Sequence, residues 1–81
     1  MRLPRDLGGR ELAALLRQLG YEVVRQTGSH IRLTAVANGR EVHITIPEHS
    51  PLKIGTLAGI LSEIAAQNGV TRREIESQLF Q

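Results

Sequence analysis

Apolar residues change their spacing several times along the chain, and each change marks an element. Leu12, Leu15, Leu16 and Leu19 fall at i, i+3, i+4 and i+7. That is the stripe of an amphipathic helix, predicted over residues 11–19 and closed by Gly20. Upstream, residues 1–8 form a lead-in loop, with Asp6 or Gly9 expected near the helix cap. Residues 21–26 and 30–36 are rich in strand formers, and Thr27-Gly28-Ser29 between them predicts a tight turn. Asn38-Gly39 is the strongest short hairpin signal in the chain, because a type I′ turn needs two residues with positive φ. A third strand over 41–46 ends at Pro47.

A two-residue loop at Asn38-Gly39 fixes the register of that hairpin. Ala35 then faces Val42, Leu33 faces Ile44 and Ile31 faces Ile46, three apolar pairs on one side of the sheet. The other side receives Thr34 with His43 and Arg32 with Thr45, with His30 beside Pro47. One face is predicted to be core and the other wet. After a loop over 48–53, Ile54, Leu57, Leu61 and Ile64 set the core stripe of a helix over 54–67, closed by Asn68-Gly69. Thr71-Arg72-Arg73-Glu74 has the form of a capping box and opens a short third helix through Ile75, Leu79 and Phe80. The expected architecture is one α+β domain over residues 1–81, with order α-β-β-β-α and a short C-terminal helix. The lead-in occupies 1–8, the core 9–69 and the last helix 70–81. Helices pack on the apolar face of a three-stranded antiparallel sheet.

Composition narrows the possible roles. A chain of 81 residues allows one core and no second. It has no cysteine, which removes disulfide scaffolds, thiolate zinc sites and Cys nucleophiles and fits a reducing, intracellular location. The net charge is only +2, but nine of the ten cations are Arg, the side chain best shaped for planar phosphate contacts. Tyr21 and Phe80 are the only aromatics, too few for a reader that stacks single-stranded bases. The longest clearly apolar run, 12–16, is far below the ~20 residues of a membrane span, and Asp6, Arg10 and Glu11 interrupt any signal-peptide core.

The polar face carries the candidate chemistry. His30 follows a glycine turn at the start of a strand, and imidazole can accept or donate a proton near neutrality. Its alternative is an exposed histidine with no role. Gly28-Ser29-His30 reads either as a phosphate-cradling turn with an adjacent acid–base group or as a plain hairpin. Arg32 suits a polyanion, and Arg25 does too, although its side of the sheet depends on the length of the first hairpin loop. Lys53-Ile54-Gly55-Thr56 opens the second helix, where Lys53 and Thr56 either help hold an anion or serve as loop and cap. Gly55 and Gly59 admit either a close approach or simple packing. His30, His43 and His49 lack a carboxylate or cysteine at a recognisable ligand spacing, so no metal and no cofactor is expected.

These residues resemble a known family. The matching stretches are Leu15-Leu16, Gly20-Tyr21, Val24-Arg25-Gln26-Thr27-Gly28-Ser29-His30, Ile46-Pro47-Glu48-His49 and Leu52-Lys53-Ile54-Gly55-Thr56-Leu57, leading to Ile60-Leu61. Together, over about residues 9–69, they are similar to the HicA toxins, small mRNA interferases of HicA–HicB toxin–antitoxin systems. The lead-in through Gly8 and the tail after Gly69 add to the minimal pattern. The resemblance implies a double-stranded-RNA-binding-domain-like fold and a cytoplasmic endoribonuclease with one catalytic histidine, which falls on His30. The Pro-x-His histidine falls on His49. It also implies a HicB-like antitoxin that blocks the active site. On this reading Gly28, Ser29, Arg32, Lys53 and Thr56 contact mRNA, cleavage is metal-independent, and the free protein is a monomer with no membrane partner. Two other classes compete: an RNA-binding domain that does not cut, and a protein-interaction module whose polar sheet face docks a partner.

Overall fold

The computed structural model describes residues 3–81; the first two residues of the expected lead-in lie outside them. Helix α1 (Gly9–Leu15) passes directly into a 3₁₀ turn over Leu16–Leu19. The strands are β1 (Glu22–Thr27), β2 (His30–Ala37) and β3 (Arg40–Pro47), followed by α2 (Ile54–Asn68) and α3 (Arg72–Phe80). The sheet is antiparallel, in the order β1-β2-β3. This is the expected α+β order of helix, three strands and two helices, with small shifts at the element ends.

The predicted β2–β3 register holds at every position. Ala35 pairs with Val42, Leu33 with Ile44, Ile31 with Ile46, Thr34 with His43, Arg32 with Thr45 and His30 with Pro47. Asn38 and Gly39 both have positive φ, 52° and 76°, as a type I′ link requires. On the apolar side Ile31, Leu33, Ile44 and Ile46 are buried against Leu12, Leu16, Leu57, Leu61 and Ile64. Burying each such side chain stabilises the fold by about 1.5–3 kcal/mol. Ile75 and Leu79 of α3 join the same core. Thr71 caps α3, its hydroxyl oxygen accepting the Glu74 N–H at 3.1 Å.

The first helix departs from the expected single span. Its N-cap is Gly8, lying between the two anticipated positions, and the Glu11 carboxylate accepts the Gly8 N–H at 2.7 Å. Its last turn tightens to 3₁₀, a common helix ending. The tightening turns the chain so that Tyr21 falls inward, with its N–H donating to the Leu16 carbonyl at 3.1 Å. Tyr21 is fully buried. Its phenol takes part in a polar seam under the far end of the sheet, donating to Gln67 Oε1 and accepting from Asn68 Nδ2 at 3.1 Å. Gln67 Nε2 in turn donates to the His43 carbonyl at 2.7 Å. Burial pushes the Tyr21 pKa above the usual 10, a shift that the Asn68 hydrogen bond opposes and the Glu63 charge reinforces.

β1 is the exception to the buried sheet: all six of its residues are exposed, because the helices cover β2 and β3. Gly59 is exposed in the middle of α2, and a Cβ there would meet nothing within 4 Å. It is therefore not a packing accommodation. Gly59→Ala should raise stability by about 0.5–1 kcal/mol, the helix-propensity difference, and lift the thermal midpoint by several degrees in a domain this small. An unchanged or lower midpoint in a melting experiment would show that the glycine has another role.

Candidate active site

The site is built at the corner where the β1–β2 turn meets the loop after β3. Gly28 and Ser29 alone form the turn, and Thr27 is still in the ladder, paired with His30. Gly28 has φ 57°, while Ser29 does not share the positive φ, the pattern that puts glycine first in a two-residue hairpin link. His30 opens β2 between Thr27 and Pro47, exposed on the face away from the helices. Among the described residues its ring makes no hydrogen bond to protein, so the imidazole is free to meet a ligand.

Four hydrogen bonds fix the neighbouring loop against this turn, β1 and the start of α1. The Glu48 N–H donates to the Ser29 carbonyl at 2.6 Å, so the Pro47-Glu48-His49 stretch is tied to the residue beside His30. The Gly9 N–H donates to the His49 carbonyl at 2.8 Å, which ties the same stretch to the start of α1. The Glu48 side chain joins both sides: Arg10 Nε donates to its Oε2, and Gln26 Nε2 donates to its Oε1 at 2.7 Å. Between α1 and the loop lies a cleft of about 320 Å³, lined by Gly8, Gly9, Arg10, Glu48, His49 and Ser50. Gly9 is obligatory in this seam. A Cβ on it would lie 2.1 Å from the Pro47 carbonyl oxygen, inside any real contact.

The open face is arranged in cross-strand rows. The first is Thr27–His30–Pro47, the next Arg25–Arg32–Thr45, and then Glu22–Thr34–His43. The fold therefore brings His30, Ser29, Gly28 and Arg32 together at one end of the sheet. The short first turn settles the side on which Arg25 lies, placing it opposite Arg32. His43 stands beyond the arginine row, and among the described residues no group of three or more His, Asp or Glu side chains gathers around a common point.

Lys53 and Thr56 are placed separately. Lys53 is the N-cap of α2 with no side-chain cap bond, and Thr56, in the first turn, makes no capping hydrogen bond either. Both are exposed. No hydrogen bond or ion pair among the described residues joins them to the Gly28–Ser29 turn. Their loop is held instead by the Leu52 N–H donating to the Leu7 carbonyl at 2.8 Å.

Sequence reasoning missed the frame formed by Gly9, Arg10, Gln26 and Glu48. A signal was present at Arg10, since a cation in the first turn of a helix opposes the helix dipole unless a carboxylate meets it. A second was Gly8-Gly9 itself, a pair of poor helix formers at a helix start. Neither identifies a partner so far along the chain.

The layout of α1, the three-stranded antiparallel sheet and α2 is consistent with a double-stranded-RNA-binding-domain-like fold. The corner holding His30 lies within a match to the family model described as the HicA toxin of bacterial toxin–antitoxin systems, which covers residues 9–67. The chain belongs to the HicA toxin family. That family makes it the toxin type of a toxin–antitoxin system, a group generally of ribonucleases with an RNA target and a HicB antitoxin. No curated protein and no solved structure matches it significantly. No helix among the described residues is long and apolar enough to cross a membrane.

Proposed function

We propose that the protein is an endoribonuclease toxin that cleaves mRNA with His30 as its catalytic histidine. The observation that carries this reading is the position of His30: exposed, unpartnered and next to a glycine turn, at the corner that the matched family segment spans. In the reaction, His30 takes the proton of a ribose 2′-hydroxyl as general base, or gives a proton to the departing 5′-oxygen as general acid. Arg32, the Ser29 hydroxyl and the N–H groups of the Gly28–Ser29 turn hold and neutralise the phosphate as charge builds on it. Lys53 and Thr56 extend the contact to neighbouring nucleotides. A HicB-like antitoxin silences the toxin by covering His30 and the polar strand face, since the opposite face is already occupied by helices. The free toxin acts in the cytoplasm as a monomer.

The end groups of the products test the chemistry. Attack by the 2′-oxygen breaks the bond to the 5′-oxygen and leaves a 2′,3′-cyclic phosphate and a 5′-hydroxyl. Mass spectrometry of RNA cut in excess EDTA should show these ends, and a 2′-deoxy nucleotide at the cut position should block cleavage. Products with 3′-hydroxyl and 5′-phosphate ends, or cleavage that stops in EDTA and returns with a divalent ion, would overturn the scheme.

A further inference from the structure

We propose that Arg25 and Arg32 form a two-arginine seat for one RNA phosphate in the row next to His30. The proposal rests on the ribonuclease reading above and adds Arg25 to its substrate-holding residues. The two arginines are direct partners across β1 and β2, so their side chains leave the same face. Directly opposed Cβ atoms in an antiparallel pair stand only about 5 Å apart, and like charges there are destabilising. Among the described residues neither arginine has an ion pair or a side-chain hydrogen bond. The two ion pairs found there are Arg10–Glu48 and Arg72–Glu76. The carboxylates on the same face, Glu22 and Glu41, sit beyond the arginine row, toward the opposite end of the sheet from His30. The repulsion is left for something outside the chain to relieve, and an anion placed between two guanidinium groups does so.

The backbone of β1 supplies the second argument. From the two-residue turn the ladder runs unbroken through Thr27–His30 and Gln26–Ile31 to Arg25–Arg32, which sets Arg25 on the open face. The register shifts only upstream of that pair, between Val23 and Arg25, and Val24 is left over as a bulge. Bulges are common beside active sites. Both Val23 and Val24 stay exposed on the edge strand. Rows on one face are about 7 Å apart along a strand, so a phosphate held by the arginines lies within one nucleotide's reach of His30.

The test measures binding without cutting. The probe is a short single-stranded RNA carrying 2′-O-methyl groups throughout, titrated against the full chain over a range of salt. Arg25→Gln and Arg32→Gln should each weaken binding by about tenfold and make the salt dependence shallower. The double substitution should lose clearly less than the product of the two, because both arginines serve one phosphate. Arg73→Gln on α3 makes the same change in net charge and should leave affinity nearly unaltered. In the free protein Arg25→Gln should raise the thermal midpoint by relieving the repulsion. If Arg25→Gln binds RNA no more weakly than Arg73→Gln, the seat does not exist. Losses that multiply fully would indicate two independent contacts and overturn the shared seat. Weakened binding to an antitoxin with RNA binding intact would assign the pair to a protein partner instead. Failure of the wild-type protein to bind the RNA at any salt would count against the ribonuclease reading itself.

Discussion

His30→Ala is expected to lower RNA cleavage by about two to four orders of magnitude, the usual worth of a positioned acid–base group, and to end growth inhibition with it. Folding should be almost unaffected. The ring is exposed and bonds to no other side chain, and surface changes of that kind fall within about 0.5 kcal/mol. The combination discriminates between the competing readings. A domain that binds RNA without cutting it would keep its biological effect, and an interaction module would show no RNA dependence to lose. Single-turnover cleavage of a labelled RNA, alongside a melting curve of the same preparation, provides both readings. Full activity in a folded His30→Ala protein would remove His30 from the mechanism.

Gly9→Ala is expected to destabilise the protein by about 2–4 kcal/mol. The new Cβ meets the Pro47 carbonyl oxygen at 2.1 Å, and that oxygen belongs to backbone, which cannot swing away as a side chain would. Relief requires α1 to move off the loop, at an overpacking cost of about 1–3 kcal/mol and the loss of the Gly9–His49 hydrogen bond, worth about 1 kcal/mol. For a domain of this size the thermal midpoint should fall by about 10 °C or more. The same glycine-to-alanine exchange at Gly59 should move it the other way, so the pair separates helix propensity from close approach. Cleavage by the Gly9→Ala protein should also be weaker below its melting range, because the displaced loop is the one tied to Ser29. A variant that melts like wild type would show that the seam yields cheaply.

Most of the sheet was legible because its determinants are local. The pairs Leu33–Ile44 and Ile31–Ile46 follow from a two-residue turn and the pleat, both written in adjacent residues. The position of His30 followed from the same register. Arg25 was not legible, since its side depends on whether the first hairpin loop has two residues or three, and Thr27-Gly28-Ser29 permits both. The α1 boundary was read too far because the leucine stripe continues through Leu19 while the backbone tightens under it. Gly9, Arg10 and Glu48 escaped for a different reason. Their roles exist only once the chain has closed on itself, and Glu48 sits in a stretch where a carboxylate between proline and histidine carries no signal of its partner.

The way the corner is held also divides it into local and long-range parts. The strands follow one another in space as they do in the chain, and each link is two residues long. Such hairpins close at little entropic cost, on a scale of about 1–10 μs. The seam between α1 and the Pro47–His49 stretch is the opposite case, since Arg10 and Glu48 are separated by 38 residues. The seam is therefore the most long-range part of the site, while the histidine strand is held by local pairing. Stability is not uniform across a fold, so a change that loosens the seam is expected to release the corner while leaving the hairpins paired.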